Sequence, residues 1–97
     1  MQTEIKGPVA TEIEARLTSA LRPTRLAVIN DSAQHRGHMG DDGTGESHFR
    51  LLIVSSKFAG RSRLERHRLV NASLEGEMPP IHALAISAFA PGEPIRA

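Results

Sequence analysis

The alternation of apolar and polar positions divides the chain into a short series of elements. Val9, Ile13, Leu17, Ala20 and Leu21 recur at helical spacing behind Pro8, a residue suited to the first helical position. Placed at about 100° per residue they fall on one arc, with Glu12, Arg16 and Ser19 outside it. Pro23 ends this helix, because the residue before a proline is driven out of the α region. From Arg25 to Asn30 the period falls to two, with Leu26 and Val28 on one face and Ala27 and Ile29 on the other, which predicts a strand. The apolar pattern then stops. Asp31 to Gly45 carries Gly37, Gly40, Gly43 and Gly45 with Asp31, Asp41 and Asp42, and Met39 is its one aliphatic side chain larger than Ala. A segment this long and polar in a small domain is either functional or disordered.

Alternation resumes over Ser47 to Val54, where Phe49, Leu51 and Ile53 oppose His48, Arg50 and Leu52. The two strands read as an antiparallel hairpin with a long loop. Ser55 to Gly60 reads as a turn or short helical piece. Ser62 and Glu65 form a capping-box pattern that opens a second helix, expected from about Arg63 to Gly76. On its wheel Leu64, His67, Val70, Leu74 and Met78 share one arc with Asn71, and Leu69 points the opposite way. Pro79-Pro80 breaks the chain, and Ile81 to Phe89 reads as a third strand. The order helix, strand, strand, turn, helix, strand predicts an α+β two-layer sandwich, a three-stranded sheet with its helices on one face. The expectation is a single domain over 1–97, with a core of about 8–91 and a proline-containing tail, 92–97, open to disorder.

Composition narrows the function. With 39% hydrophobic and 24% charged residues the chain is an ordinary globular sequence. No strictly apolar run, Leu51 to Val54 included, exceeds four residues, against the roughly 20 a membrane helix needs. The segment from Met1 to Lys6 has no apolar stretch of the secretory kind, so the expected location is cytoplasmic. A net charge of +1 gives no whole-molecule attraction to nucleic acid or membrane, and with three Phe and no Trp or Tyr there are few platforms for stacking bases. No G-x-S-x-G, Walker loop or dinucleotide fingerprint occurs, which makes an enzyme the weaker expectation.

Five histidines and no cysteine are the remaining chemistry. Imidazole is the commonest metal ligand, and without thiolates a metal or cluster would depend on these rings. His67 sits on the apolar arc of the second helix and is read as structural. His48 opens the second strand opposite Phe49 and is read as a structural anchor for the loop base. His35 and His38 lie in the glycine-rich loop, where an H-x-x-H pair is weak as a metal motif on its own. His82 stands at the mouth of the third strand, on the Leu84 and Ile86 side. A separate cluster, Lys57, Arg61, Arg63, Arg66 and Arg68, surrounds Gly60 and a helix start, where free backbone N–H groups could hold a phosphate. The alternative is a solvated arginine face paired with Glu65, Glu75 and Glu77.

Four segments then fit together. Ser47-His48-Phe49, Val54-Ser55-Ser56-Lys57-Phe58-Ala59-Gly60, Arg66-His67-Arg68-Leu69-Val70-Asn71 and Ile81-His82-Ala83-Leu84 stand in the order and spacing of the BolA family, which the chain resembles from about Val9 to Pro91. Asn30-Asp31-Ser32 before a histidine-bearing loop is similar to the members that carry His there rather than Cys. The resemblance implies a fold related to the class II KH domain, αββααβ with a mixed sheet. It also implies a non-enzymatic partner of a monothiol (CGFS) glutaredoxin. In such pairs a [2Fe–2S] cluster is bridged between the glutaredoxin's cysteine, a glutathione thiol and histidine from the BolA protein, for iron–sulfur trafficking or iron and redox sensing.

His82 matches the family's C-terminal ligand. The loop ligand is His35 or His38, with His35 favoured because it follows Asp31-Ser32 at the family's usual distance. The isolated chain is expected to carry no cluster and to be a monomer or weak homodimer. Some members are DNA-binding transcriptional regulators of stress response and cell morphology, which makes DNA the rival partner. Gly60-Arg61-Ser62-Arg63 lacks the second glycine of a KH GXXG clamp, leaving Lys57, Arg61, Arg63 and Arg66 for phosphate contact.

Overall fold

The computed structural model describes residues 7–30, 48–76, 81 and 83–95. The elements are α1 (Pro8–Leu21), β1 (Arg25–Asn30), β2 (His48–Val54), a 3-10 turn (Ser56–Phe58), α2 (Arg63–Ser73) and β3 (Ala83–Phe89). They form an α+β two-layer structure in the expected αββααβ order, with the 3-10 turn as the short middle helical piece. The sheet is mixed and runs β1-β2-β3: β1 pairs antiparallel with β2, and β2 pairs parallel with β3.

The period-two pattern sets the register. Leu26, Ile53 and Ala88 form one row across the sheet, and Val28, Leu51 and Ile86 form the next. Phe49 and Leu84 continue the same face one row further on. These side chains meet α1, whose Val9, Ala10, Ile13, Leu17 and Leu21 are all buried. Phe58 enters this core from the 3-10 turn and Val70 from α2, both fully buried. Each fully buried Leu, Ile, Val or Phe contributes about 1.5–3 kcal/mol relative to exposure. The helix layer therefore holds the sheet, and among the described residues no helix covers the opposite sheet face, which carries Ala27 and the 42% exposed Ile29.

α1 stops where Pro23 requires it. Arg22 takes a left-handed conformation (φ 44°), and its N–H closes the helix on the Thr18 carbonyl at 3.1 Å. The Thr24 N–H then donates to Val54 O at 2.8 Å and starts the hairpin. Ala20, expected on the buried arc, is exposed in the last turn, and Ala10 is buried instead.

α2 departs further from its wheel. Leu64 is 58% exposed, whereas Leu69 packs against the core with Val70 and Leu74. The helix is turned by roughly 100°, about one residue of helical phase, from the arc expected. With leucines on opposite sides, its composition does not fix the phase. Contact with α1 on one side and β3 on the other does. His67, placed by that wheel among core residues, is partly exposed. The helix also ends at Ser73 rather than Gly76, and Met78 lies outside the described residues.

Candidate functional site

The sheet brings the candidate residues to two different ends. At one end β1 finishes at Asn30, which pairs with Phe49, while His48 pairs with Ala83. The glycine-rich stretch leaves from Asn30 and returns at His48, and His82 is the residue before Ala83. The chain positions flanking His35, His38 and His82 are thus gathered at one sheet end by strand register alone. The three histidines themselves lie outside the described residues. His48 is partly exposed on the side of β2 away from Phe49, Leu51 and Ile53, as alternation predicts. Among the described residues no three His, Cys, Asp or Glu side chains come close enough to hold a metal ion.

The other end carries the cationic groups. A groove of about 720 Å³ lies between the start of α2 and the last residues of β3. Arg61, Arg63, Arg66 and His67 line one side, and the strand from Ile86 to Phe89 lines the other. Glu93 and Pro94, in the turn after β3, also line it. Measured along β3 from Ala83 at about 3.3 Å per residue, the groove lining begins roughly 10 Å away at Ile86 and ends roughly 20 Å away at Phe89. Lys57 sits on the 3-10 turn, outside the groove lining.

Two N–H groups at the helix start are already taken. Ser62 Oγ accepts from the Glu65 N–H at 3.1 Å, and the Glu65 carboxylate accepts from the Ser62 N–H at 2.8 Å. The expected capping box is complete, so the Ser62 and Glu65 N–H groups are satisfied within the chain rather than held open for a phosphate. That backbone bond and the Ser62 hydroxyl, helped by Arg61 and Arg68, hold the Glu65 carboxyl below its ordinary value.

Arg66 is equally committed. Its Nη1 and Nη2 donate to the two carboxylate oxygens of Glu93 at 2.6 and 2.8 Å. Its Nη1 also reaches the Ala88 carbonyl at 3.2 Å, and its Nε donates to the Arg61 carbonyl at 3.0 Å. Glu93 Oε1 further accepts the Ala90 N–H at 2.8 Å. The Arg66 guanidinium and then the Ala90 N–H lower the Glu93 carboxyl to about 2. The same pairing raises Arg66. Arg61 donates through Nε to the Lys57 carbonyl at 3.0 Å. Arg63, exposed, has no hydrogen-bond or ion-pair partner among the described residues.

Of the groups expected to contact phosphate, Arg61, Arg63 and Arg66 come together, but the third is occupied by a carboxylate that sequence reasoning did not single out. Glu93 falls in the stretch treated as a candidate for disorder. Its only signal was a carboxylate in a Pro91-Gly92-Glu93-Pro94 turn; the structure uses Gly92 at φ 89° to bring that carboxylate back onto α2.

A scan against family models matches "BolA: BolA-like protein" over residues 17–93. A Sinorhizobium protein described as "Uncharacterized protein in cobS 5′region" is 57% identical over 86 residues, 87% of this chain and 92% of its own length. BolA-like protein 1 of Bos taurus is 47% identical over 88 residues, 90% of this chain, which spans 62% of the bovine protein. Among solved structures, the BolA domain of SufE1 from Arabidopsis thaliana superposes with a TM-score of 0.77 at 39% identity, covering 90% of this chain and 96% of that one.

Proposed function

The chain belongs to the BolA-like protein family, and from that premise we propose that it is a non-enzymatic partner of a monothiol glutaredoxin, sharing a [2Fe–2S] cluster with it. His82 is one ligand, and His35 or His38, with His35 preferred, is the loop ligand. The observation that carries this reading is the register of the sheet. Asn30 against Phe49, and His48 against Ala83, bring both ends of the histidine-bearing segment to the end of the sheet where His82 precedes β3. The donor set fits the chemistry, because a chain with no cysteine supplies no thiolate, offers imidazole nitrogen, and leaves the thiolates to glutaredoxin and glutathione. Exchanging thiolate for imidazole on one iron raises a cluster's potential, so the shared cluster differs from the glutaredoxin's own. The cluster is cargo or signal in this reading, and the chain's residues bind and orient it.

Visible circular dichroism of a cluster-loaded monothiol glutaredoxin mixed with this protein tests the proposal. A new spectrum is expected with wild type, lost with His82→Ala and altered by one of His35→Ala and His38→Ala. No change on mixing with wild type sinks it.

The arginine groove favours a second reading, a DNA-binding regulator. Arg63 and Arg61 supply its charge, and salt-sensitive DNA binding abolished by charge reversal at both positions is the expected sign. With the groove lining beginning at Ile86, three residues along β3 from Ala83, the two activities compete for no common residue.

A further inference from the structure

The groove contains its own anion. Glu93 meets Arg66 with two parallel N–H···O bonds, the geometry by which a guanidinium also grips a phosphate. The turn that delivers it is built for the purpose: Gly92 adopts φ 89°, the Glu93 N–H closes on the Ala90 carbonyl at 3.1 Å, and the carboxylate returns to cap the Ala90 N–H. Arg66 is the most buried of the pair, with 13% of its side chain exposed against 39% for Glu93. The carboxylate therefore covers the cation from the solvent side. Arg61 and Arg63 stay on the groove wall without a carboxylate bound to them among the described residues.

We propose that Glu93 is an autoinhibitory carboxylate, a tethered competitor that keeps Arg66 from a phosphodiester ligand of the groove until that ligand displaces it. The proposal rests on the second reading above. A ligand first meets Arg63 and Arg61, and full engagement requires the 90–95 turn to yield Arg66. Binding is weaker than three arginines would give, and strand-like ligands with several adjacent phosphates are favoured over isolated anions. The Ala88 carbonyl and Arg61 carbonyl still orient the guanidinium after Glu93 leaves, so the freed cation points into the groove without reorganisation.

The test uses fluorescence anisotropy of a labelled single-stranded DNA oligonucleotide with the full chain. Glu93→Gln, and Glu93→Ala as a second variant, are expected to bind roughly three- to tenfold more tightly than wild type at low salt. The slope of log affinity against log salt should steepen by about 0.7, one further phosphate contact on a single strand. The gain should vanish when Arg66→Gln is added. Far-UV circular dichroism checks that each variant is folded. If wild type binds and neither Glu93 variant binds more tightly, the competitor is refuted while the DNA reading stands. If the gain survives in the Arg66→Gln background, Glu93 acts only through its general field, and the proposal fails. If no variant binds, the DNA reading falls and takes the proposal with it.

Discussion

Replacing Ser55 by alanine removes one oxygen atom from the core and should be the most damaging polar substitution in the described chain. Ser55 is fully buried, the one buried polar residue of the described core. Its hydroxyl donates to the Leu21 carbonyl at 2.7 Å and accepts the Lys57 N–H at 3.2 Å. It thereby joins the last turn of α1 to the turn after β2, while its own N–H donates to the Phe89 carbonyl at 3.0 Å. Leu21 lies in the final turn of a helix, where a carbonyl has no intrahelical donor, and it is only 3% exposed. Ser55→Ala leaves that acceptor unsatisfied, at about 1–3 kcal/mol. The Lys57 N–H, part-buried, loses its cap for about 0.5–1 kcal/mol more. The expected loss is about 2–3 kcal/mol, which for a domain of this size lowers Tm by roughly 10–20 °C. Urea unfolding followed by far-UV circular dichroism should move to a lower midpoint with an unchanged slope. Ser56→Ala, one residue on and exposed, is the control and should stay within about 0.5 kcal/mol of wild type. A Ser55→Ala protein as stable as that control would refute the claim that this hydroxyl satisfies groups water cannot reach.

The phase of α2 is open to a direct test in the same assay: Leu64→Ser should be nearly silent, whereas Val70→Ala should lose about 2 kcal/mol through two missing methyl groups and the space they leave. Glu93 has a depressed folded-state value, so its contribution is complete above its ordinary value of 4.5 and is lost as pH falls toward about 2; Glu93→Gln should flatten the decline of stability across that window, seen by acid titration of Tm. Ser62→Ala should lower stability by about 1 kcal/mol and increase amide exchange in the first turn of α2, with little effect on the rest of the fold.

The candidate sites were legible to different degrees. The histidines drew notice because a chain without cysteine offers few other soft ligands, and strand alternation put His48 on its observed face. The arginine cluster was visible as a run of charges, yet its availability was not. Whether a guanidinium is free depends on what returns to it from elsewhere, and Glu93 returns to Arg66 across 27 residues. Ser55 belonged to a recognisable segment, but its neighbours, Leu21 and Phe89, are far away in the chain.

By itself the sequence determined everything that repeats locally: the start of α1 at Pro8 and its stop before Pro23, the capping box of α2, and the two faces of β1 and β2. Such features depend on backbone sterics and on neighbours within a few residues, so they are written in short stretches of chain. Tertiary structure alone decided the rotation of α2, because its leucines lie on both sides and the choice of Leu69 over Leu64 comes from α1 and β3. It also decided that β3 runs parallel to β2, bringing Ala83 beside His48 and carrying Phe89 to the far end with the arginines. That separation of a histidine end from an arginine end is a property of strand order, to which pairing partners distant in sequence contribute and no local pattern does.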